Sequence, residues 1–406
     1  MKQVIHAAGE GHLHETIRQR NYAQGNTMEM RVFLRDFITT IEPENVKTIL
    51  STKFSDYGLG NLRIDTMAPV FGHGIFTTDG QAWEHSRALI RPNFTRSQVG
   101  DLTIYEQHVQ HLLALIPKDG GTVDLQELFF KLTMDSATQF LFGKSTYSLV
   151  KEQAHQDSDR FSDAFAYVTE AMAKDFRTAR LNRFVPDKKR REDTQFIKDF
   201  ADKIVNDTLA QSVDAEKGKT GTEQSYTFLY EMIKQTRDPY TLRSETLNVL
   251  LAGRDTTASL LAHTFFQLAR RPDIWARLQA EIDELGGRPP DYETLKGMKY
   301  VKWVLNESLR LYPVVPSNTR MAIKDTILPL GGGPDERSPI FVPAGTPIAY
   351  NVWSMHRRKD FYGPDADEFK PERWEKLRPG WEYLPFNGGP RICIGKHPSP
   401  LGDRVA

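Results

Sequence analysis

The chain has 406 residues, enough for one large enzyme core or for two or three smaller domains, and its 53 basic and 53 acidic side chains leave a formal net charge of zero. That balance supplies no basic field to recruit nucleic acid, so nucleic acid is not an expected partner. The only cysteine, Cys393, cannot close an internal disulfide, which fits a reducing compartment and leaves its thiol for other chemistry.

The amino-terminal stretch MKQVIHAAGEGHLHETIRQRNYAQGN is polar, and no window reaches the run of about 18 apolar residues that spans a bilayer. Met30 to Leu34 and Phe37 to Ile41 read as short strands, and Pro43-Glu44 opens a helix through Leu50. From about Gln98 onward apolar residues recur at helical spacing, through Ile104 to Leu115 and Leu125 to Phe142. Lys188, Lys189, Arg190 and Arg191, beside short apolar loops, could rest on a membrane surface, while the plainer reading is a solvated charge run. Residues 214 to 225 are polar and Gly/Lys-rich and read as a surface loop rather than a linker, with no clear domain boundary.

Residues 241 to 270 form a long, mostly apolar helix candidate, closed by Arg271-Pro272-Asp273, which starts a further helix to Leu285. Tyr300 to Leu311 reads as another helix, stopped by Pro313, and short strands and turns follow up to about Tyr350. The expected class is mainly α, or α+β, with small sheets near the start and late in the chain.

Phe386-Asn387-Gly388-Gly389-Pro390-Arg391-Ile392-Cys393-Ile394-Gly395 crowds three glycines, a proline and an arginine around the lone thiol. Glycine permits tight turns and close approach, and backbone N–H groups with a nearby cation stabilise a thiolate. A thiolate can hold haem iron and push electron density toward it. The plainer reading of a lone thiol is a buried, inert cysteine beside a turn.

This loop resembles the haem-binding loop of the cytochrome P-450 family, Phe-x-x-Gly-x-Arg-x-Cys-x-Gly, at every fixed position from Phe386 to Gly395. Ala252-Gly253-Arg254-Asp255-Thr256-Thr257 matches the family's oxygen-activation motif, and Glu307-Ser308-Leu309-Arg310 with Pro371-Glu372-Arg373-Trp374 matches its buried Glu/Arg/Arg cluster. The resemblance implies a single P-450 domain over residues 1–406, haem b with Cys393 as axial thiolate, and O2 as co-substrate. Thr256 would hydrogen-bond the dioxygen and Asp255 relay protons, in a helix that Gly253 and the paired threonines distort locally. Glu307, Arg310 and Arg373 would be structural. Trp83, Arg87, Arg391 and Arg320 would meet the haem propionates, for which the arginine fork is suited, although Arg320 also reads as a surface strand arginine.

The segment from Phe71 to Trp83, with Ala88 to Phe94 beyond it, looks most like fungal members that hydroxylate n-alkanes and fatty acids. Ile75, Phe76 and the aromatic residues between Phe161 and Phe184 would then wall a long apolar pocket, or be simple core. Nicotinamide, nucleotide, zinc and serine-hydrolase motifs are absent, so electrons must come from outside, by resemblance from NADPH through a separate cytochrome reductase. The same resemblance implies a small apolar substrate, a monomer and the cytosolic face of the endoplasmic reticulum membrane.

Lys396 to Ala406 does not read as the family's helix beneath the haem, nor as the strands beyond it, and the amino-terminal anchor of eukaryotic members is also not legible, so truncation at both ends is the expectation. A haem monooxygenase and a non-catalytic haem-binding remnant therefore both remain open. A cysteine-nucleophile hydrolase would need a paired base, and His397 stands too close among prolines.

Overall fold

The computed structural model describes residues 7, 10–32, 35–95, 102–150, 156–178, 185–216 and 227–396. Leu34, Gln98, Phe184, His397 and most of the polar 214–225 stretch lie outside the described residues, as does the chain after Lys396. Among the described residues the architecture is mainly α with two small sheets, as the sequence pattern predicts. The chain folds into two compact units, residues 1–60 with 263–406, and residues 61–262.

The first unit holds every described strand: β1 (Thr27–Val32), β2 (Arg35–Thr40), β3 (Tyr57–Gly58), β4 (Ser317–Ala322), β5 (Thr326–Gly332), β6 (Ser338–Val342) and β7 (Pro347–Asn351). Five of them form one sheet in the order β1-β2-β7-β4-β3, with β2 and β7 parallel and the other pairs antiparallel. β5 and β6 form a separate antiparallel pair. Ile38 and Ile348, opposite each other across β2 and β7, join Val46, Ile49, Leu50, Tyr350 and Leu384 in the core of this unit.

β1 starts three residues before the apolar alternation suggests. Thr27 and Thr40 face each other with hydroxyls 2.8 Å apart, and the buried Asn45 amide donates to both, so a polar network anchors the hairpin end. Pro43 takes the first helical turn as expected, but the α-helix stops at Lys47 and continues as a π-turn, Thr48–Thr52. The Lys53 N–H reaches five residues back to the Thr48 carbonyl at 2.9 Å.

In the helix Lys299–Leu311, Glu307 and Arg310 are fully buried and form a two-pronged ion pair, Nε to Oε2 at 2.9 Å and Nη2 to Oε1 at 2.8 Å. The remaining Arg310 donors reach the carbonyls of His356 (2.9 Å), Ala366 (2.6 Å) and Glu368 (3.0 Å). Glu307 also accepts from Lys370 N (3.0 Å), Arg373 Nε (3.4 Å) and the Trp374 indole (3.0 Å). His356 extends the network: Leu384 N–H donates to its Nε2 at 2.8 Å, which fixes the other nitrogen as the donor to the Arg310 carbonyl at 3.0 Å.

In the second unit the helix Leu125–Phe142 begins and ends where the sequence marks it. Asp124 caps the N–H groups of Gln126 and Glu127, and Gly143, at φ 71°, returns its N–H to the Gln139 carbonyl. Phe161 and Phe165 are fully buried against Phe200 and Phe71, so these two are core rather than pocket wall. Lys188 pairs with Glu192, Lys189 with Asp193 and Arg190 with Asp175, which ties three of the four clustered cations to carboxylates within the unit. No helix among the described residues is long and apolar enough to cross a membrane. The long apolar helix runs from Pro239 to Leu268, and its successor from Pro272 to Asp283, two residues short of the expected end.

Removing one member of the buried cluster leaves an uncompensated charge. Glu307→Ala should lower the unfolding free energy by roughly 3–5 kcal/mol, read as a shift of the urea midpoint. Burial also lowers the His356 pKa from the ordinary 6.5 to about 3. The unfolded chain then binds the proton and the native one does not, so stability is full above pH 6.5 and is lost as pH falls through that value toward 3. Between pH 7 and pH 5 this contributes about 2 kcal/mol of destabilisation, and His356→Gln should flatten the fall in melting temperature over that interval.

Candidate functional site

Cys393 is presented by a loop whose conformation follows from its neighbours. Asn387 sits at φ 61° and its side-chain oxygen accepts from the Tyr350 hydroxyl at 3.0 Å. A 3-10 turn, Gly389–Arg391, follows, and Ile392 N–H closes on the Gly389 carbonyl at 2.9 Å. The Cys393 N–H then returns to the Phe386 carbonyl at 2.9 Å, so the first and eighth residues of the motif are tied through the main chain.

Gly389, at φ 65°, packs so closely on the π-turn that a Cβ there would lie 1.8 Å from the Leu50 carbonyl oxygen. Only glycine fits, by backbone conformation and by space. Gly388 lies under the Trp381 ring in the same way, where an added Cβ would meet ring carbons at 2.6 and 2.7 Å. The loop is therefore clamped on both sides while the Cys393 side chain is exposed, so the thiol is not the buried one of the plainer reading.

Lys396 places its ammonium 5.7 Å from the centre of the Phe386 ring, and burial lowers its pKa while attraction to Cys393 pulls the other way. A cation thus stands near the sulfur, on a lysine the motif does not include. Trp381 and His356 are likewise missing from the sequence reading, which includes Asn387 only as a position of the loop. The Asn-Gly-Gly run signals the tight turn at Asn387, but nothing local signals the other two.

Arg320, on β4, is buried, which sets aside the surface-strand reading. Its Nη1 donates to the Thr319 carbonyl at 2.9 Å and to Asn318 Oδ1 at 3.2 Å, and among the described residues no carboxylate pairs with it. A buried guanidinium is suited to pairing with an anion. Arg391 ends the 3-10 turn two residues before the thiol.

In the second unit, Trp83 and Arg87 lie one turn apart on the helix Gly80–Ile90, Trp83 buried and the Arg87 guanidinium 5.9 Å from its ring centre. Both line a surface cleft with Glu84, Ala88 and Arg91. In the helix Pro239–Leu268 the Thr256 hydroxyl donates to the Ala252 carbonyl at 2.6 Å, the back-bond expected of a helical threonine. The expected local distortion does not follow: the helix is continuous across residues 252 to 257. A Cβ added at Gly253 would lie 3.8 Å from the Ala137 Cβ, an ordinary van der Waals contact. Asp255 pairs with Arg254 at 2.6 Å, and burial raises its pKa against the pull of that cation. Arg254 is itself held over the Phe130 and Phe165 rings, at 4.9 and 5.5 Å.

Comparison with known proteins places these features in one family. The family model described as Cytochrome P450 matches residues 1–397. Cytochrome P450 monooxygenase himC of Aspergillus japonicus is 48% identical over 390 residues, covering 94% of this chain and 69% of that protein. Cytochrome P450 52A12 of Debaryomyces hansenii is 44% identical over 95% of this chain and 78% of its own length, and cytochrome P450 52A5 of Candida maltosa is 47% identical over 91% and 73%. These relatives are fungal, as the resemblance of the Phe71 to Phe94 segment implies. With the clamped thiol loop, the buried Glu307/Arg310/Arg373 cluster and a match along nearly its whole length, the chain belongs to the cytochrome P450 family of oxidoreductases.

Proposed function

We propose that this chain is a haem-thiolate monooxygenase that places one oxygen atom of O2 into a C–H bond of an apolar substrate, a fatty acid or an n-alkane. The other oxygen atom leaves as water, and NADPH supplies the electrons through a separate cytochrome reductase at the cytosolic face of the endoplasmic reticulum membrane. The observation that carries the reading is the exposed Cys393 on a loop clamped between Leu50 and Trp381.

The residues present fit haem b. Cys393 offers one sulfur ligand, and Arg320 is a buried cation without a carboxylate partner among the described residues, as a propionate requires. Arg391, Trp83 and Arg87 are the further propionate partners in this reading, and Phe386, which opens the sulfur loop, is a further cofactor contact. Haem iron, when bound, supplies the oxygen activation that no side chain can.

The chain's part is to bind, orient and move protons. Asp255, its pKa raised by burial, can hold a proton at its carboxyl and release it toward the neighbouring hydroxyl, and Arg254 limits how far that proton affinity rises. Thr256 can turn its hydroxyl from the Ala252 carbonyl to dioxygen, exchanging one acceptor for another. The aliphatic substrate follows from the resemblance to fungal alkane and fatty-acid hydroxylases, with half-buried Ile75 and Phe76 as apolar contacts.

Reduced protein treated with carbon monoxide should give the Soret band of a thiolate-ligated haem, and Cys393→Ser should lose it. A wild-type chain that takes up no haem overturns the reading and leaves only a remnant of the family. Gly389→Ala should lower the haem-to-protein ratio, because the loop must move off the Leu50 carbonyl. Thr256→Ala should keep the band yet reduce hydroxylated product on the order of 10²-fold, as removal of one positioned donor does, measured as product formed per NADPH consumed.

A further inference from the structure

The loop Gly72 to Thr78 joins the helix Asn61–Phe71 to the helix Gly80–Ile90, and it is held by two buried side chains of the long helix Pro239–Leu268. Glu245 is 1% exposed and Asn248 is fully buried. Glu245 Oε2 accepts from the Ile75 N–H at 3.2 Å, and Asn248 Oδ1 accepts from the Phe76 N–H, also at 3.2 Å. Asn248 Nδ2 donates to the Phe71 carbonyl at 2.9 Å and to the Ser244 carbonyl at 2.7 Å, so its amide is used at both ends.

The loop is shaped to receive these side chains. A Cβ on Gly74 would lie 2.5 Å from Asn248 Nδ2 and 3.1 Å from Glu245 Oε2. Thr77 closes the turn from the other side, its hydroxyl accepting from Gly74 N–H at 2.9 Å and donating to the Gly72 carbonyl at 2.7 Å. Arg63 adds a third tether, donating to the Phe76 carbonyl at 3.1 Å with its guanidinium 5.8 Å from the Phe76 ring.

Three backbone groups on two consecutive residues are thereby fixed: Ile75 N–H, Phe76 N–H and Phe76 C=O. The half-buried apolar side chains that depart from this backbone inherit its position. Glu245 and Thr256 are eleven residues apart on one helix, about three turns and roughly 16 Å along the axis, and so project from nearly the same face.

We propose that Glu245 and Asn248 are positioning residues for substrate selection: from one face of the long helix they fix the Ile75–Phe76 backbone and so set where an aliphatic chain is held relative to Thr256. This rests on the monooxygenase reading above and deepens it. The C–H bond that reacts is then chosen by the loop's register against the helix. Burial pushes the Glu245 carboxyl up to about 7, against the pull of its Ser86 and Ile75 hydrogen bonds. Charged or neutral, it keeps an oxygen that can accept from Ile75, and so does a glutamine.

The test uses the haem-loaded protein with a reductase and a series of saturated fatty acids and n-alkanes. Glu245→Ala and Asn248→Leu should retain the thiolate carbon monoxide band, spread hydroxylation over more carbon positions, and raise KM roughly tenfold with kcat changed less, as expected of lost orientation. Glu245→Gln should keep the wild-type product pattern. Unchanged product positions in both disruptive variants, with the band intact, overturn the proposal. Hydrogen exchange of the wild-type holoprotein gives a readout that does not depend on the variants folding: the Ile75 and Phe76 amides should exchange more slowly than the His73 amide, and equal exchange also overturns it. Wild-type protein with haem but without hydroxylation sinks the monooxygenase reading and the substrate role with it, while protected amides would still establish the clamp.

Discussion

Arg310 is buried to the last atom, and its five N–H donors must all find oxygens inside the protein. Two go to Glu307 in the same helix, and the rest go to the carbonyls of His356, Ala366 and Glu368. Taking two charges out of water costs several kcal/mol per ion, and only such complete satisfaction offsets it. The fold consequence is that segments distant in sequence from residue 310 have no freedom to drift. His356 passes the constraint on by accepting from Leu384 N–H, two residues before the haem-loop motif begins.

Within the same unit a second constraint meets the first. The π-turn at Thr48–Thr52 brings the Leu50 carbonyl onto Gly389, and Tyr350 at the end of β7 reaches Asn387. The thiol loop is thus located by the sheet, by a π-turn and by a buried ion network. None of these belongs to the loop itself. This explains how a short, glycine-rich segment can present an exposed sulfur without collapsing onto its own core.

Where a signal is local, the sequence is a good guide to this structure. Asp124 and Gly143 mark the helix Leu125–Phe142, Pro272 marks the start of the next helix after Leu268, and the spacing from Phe386 to Gly395 marks the thiol loop. What escapes is set by partners far away in the chain. The early start of β1 depends on Asn45 reaching Thr27 and Thr40, the π-turn has no composition signature, and His356 reads as one more polar residue in a turn. Glycine at 253 suggests a weakened helix, but the helix runs through it without a break.

Three buried or half-buried acids show how one side-chain chemistry is divided by surroundings. Glu307 accepts from five donors in all, two of them on Arg310 and one on Arg373, and it serves as a structural post. Asp255 meets one cation, Arg254, that only partly offsets its burial, and its proton affinity rises while remaining adjustable. Glu245 meets only neutral donors, Ser86 and the Ile75 N–H, and its pKa is pushed up to about 7. A carboxylate with every acceptor position used suits a structural anchor, a tunable carboxyl suits proton transfer, and an acceptor indifferent to its own charge suits a tether. Asp255 and Glu245 stand on one helix ten residues apart, so the element that carries the proposed proton relay also carries the hold on the substrate loop.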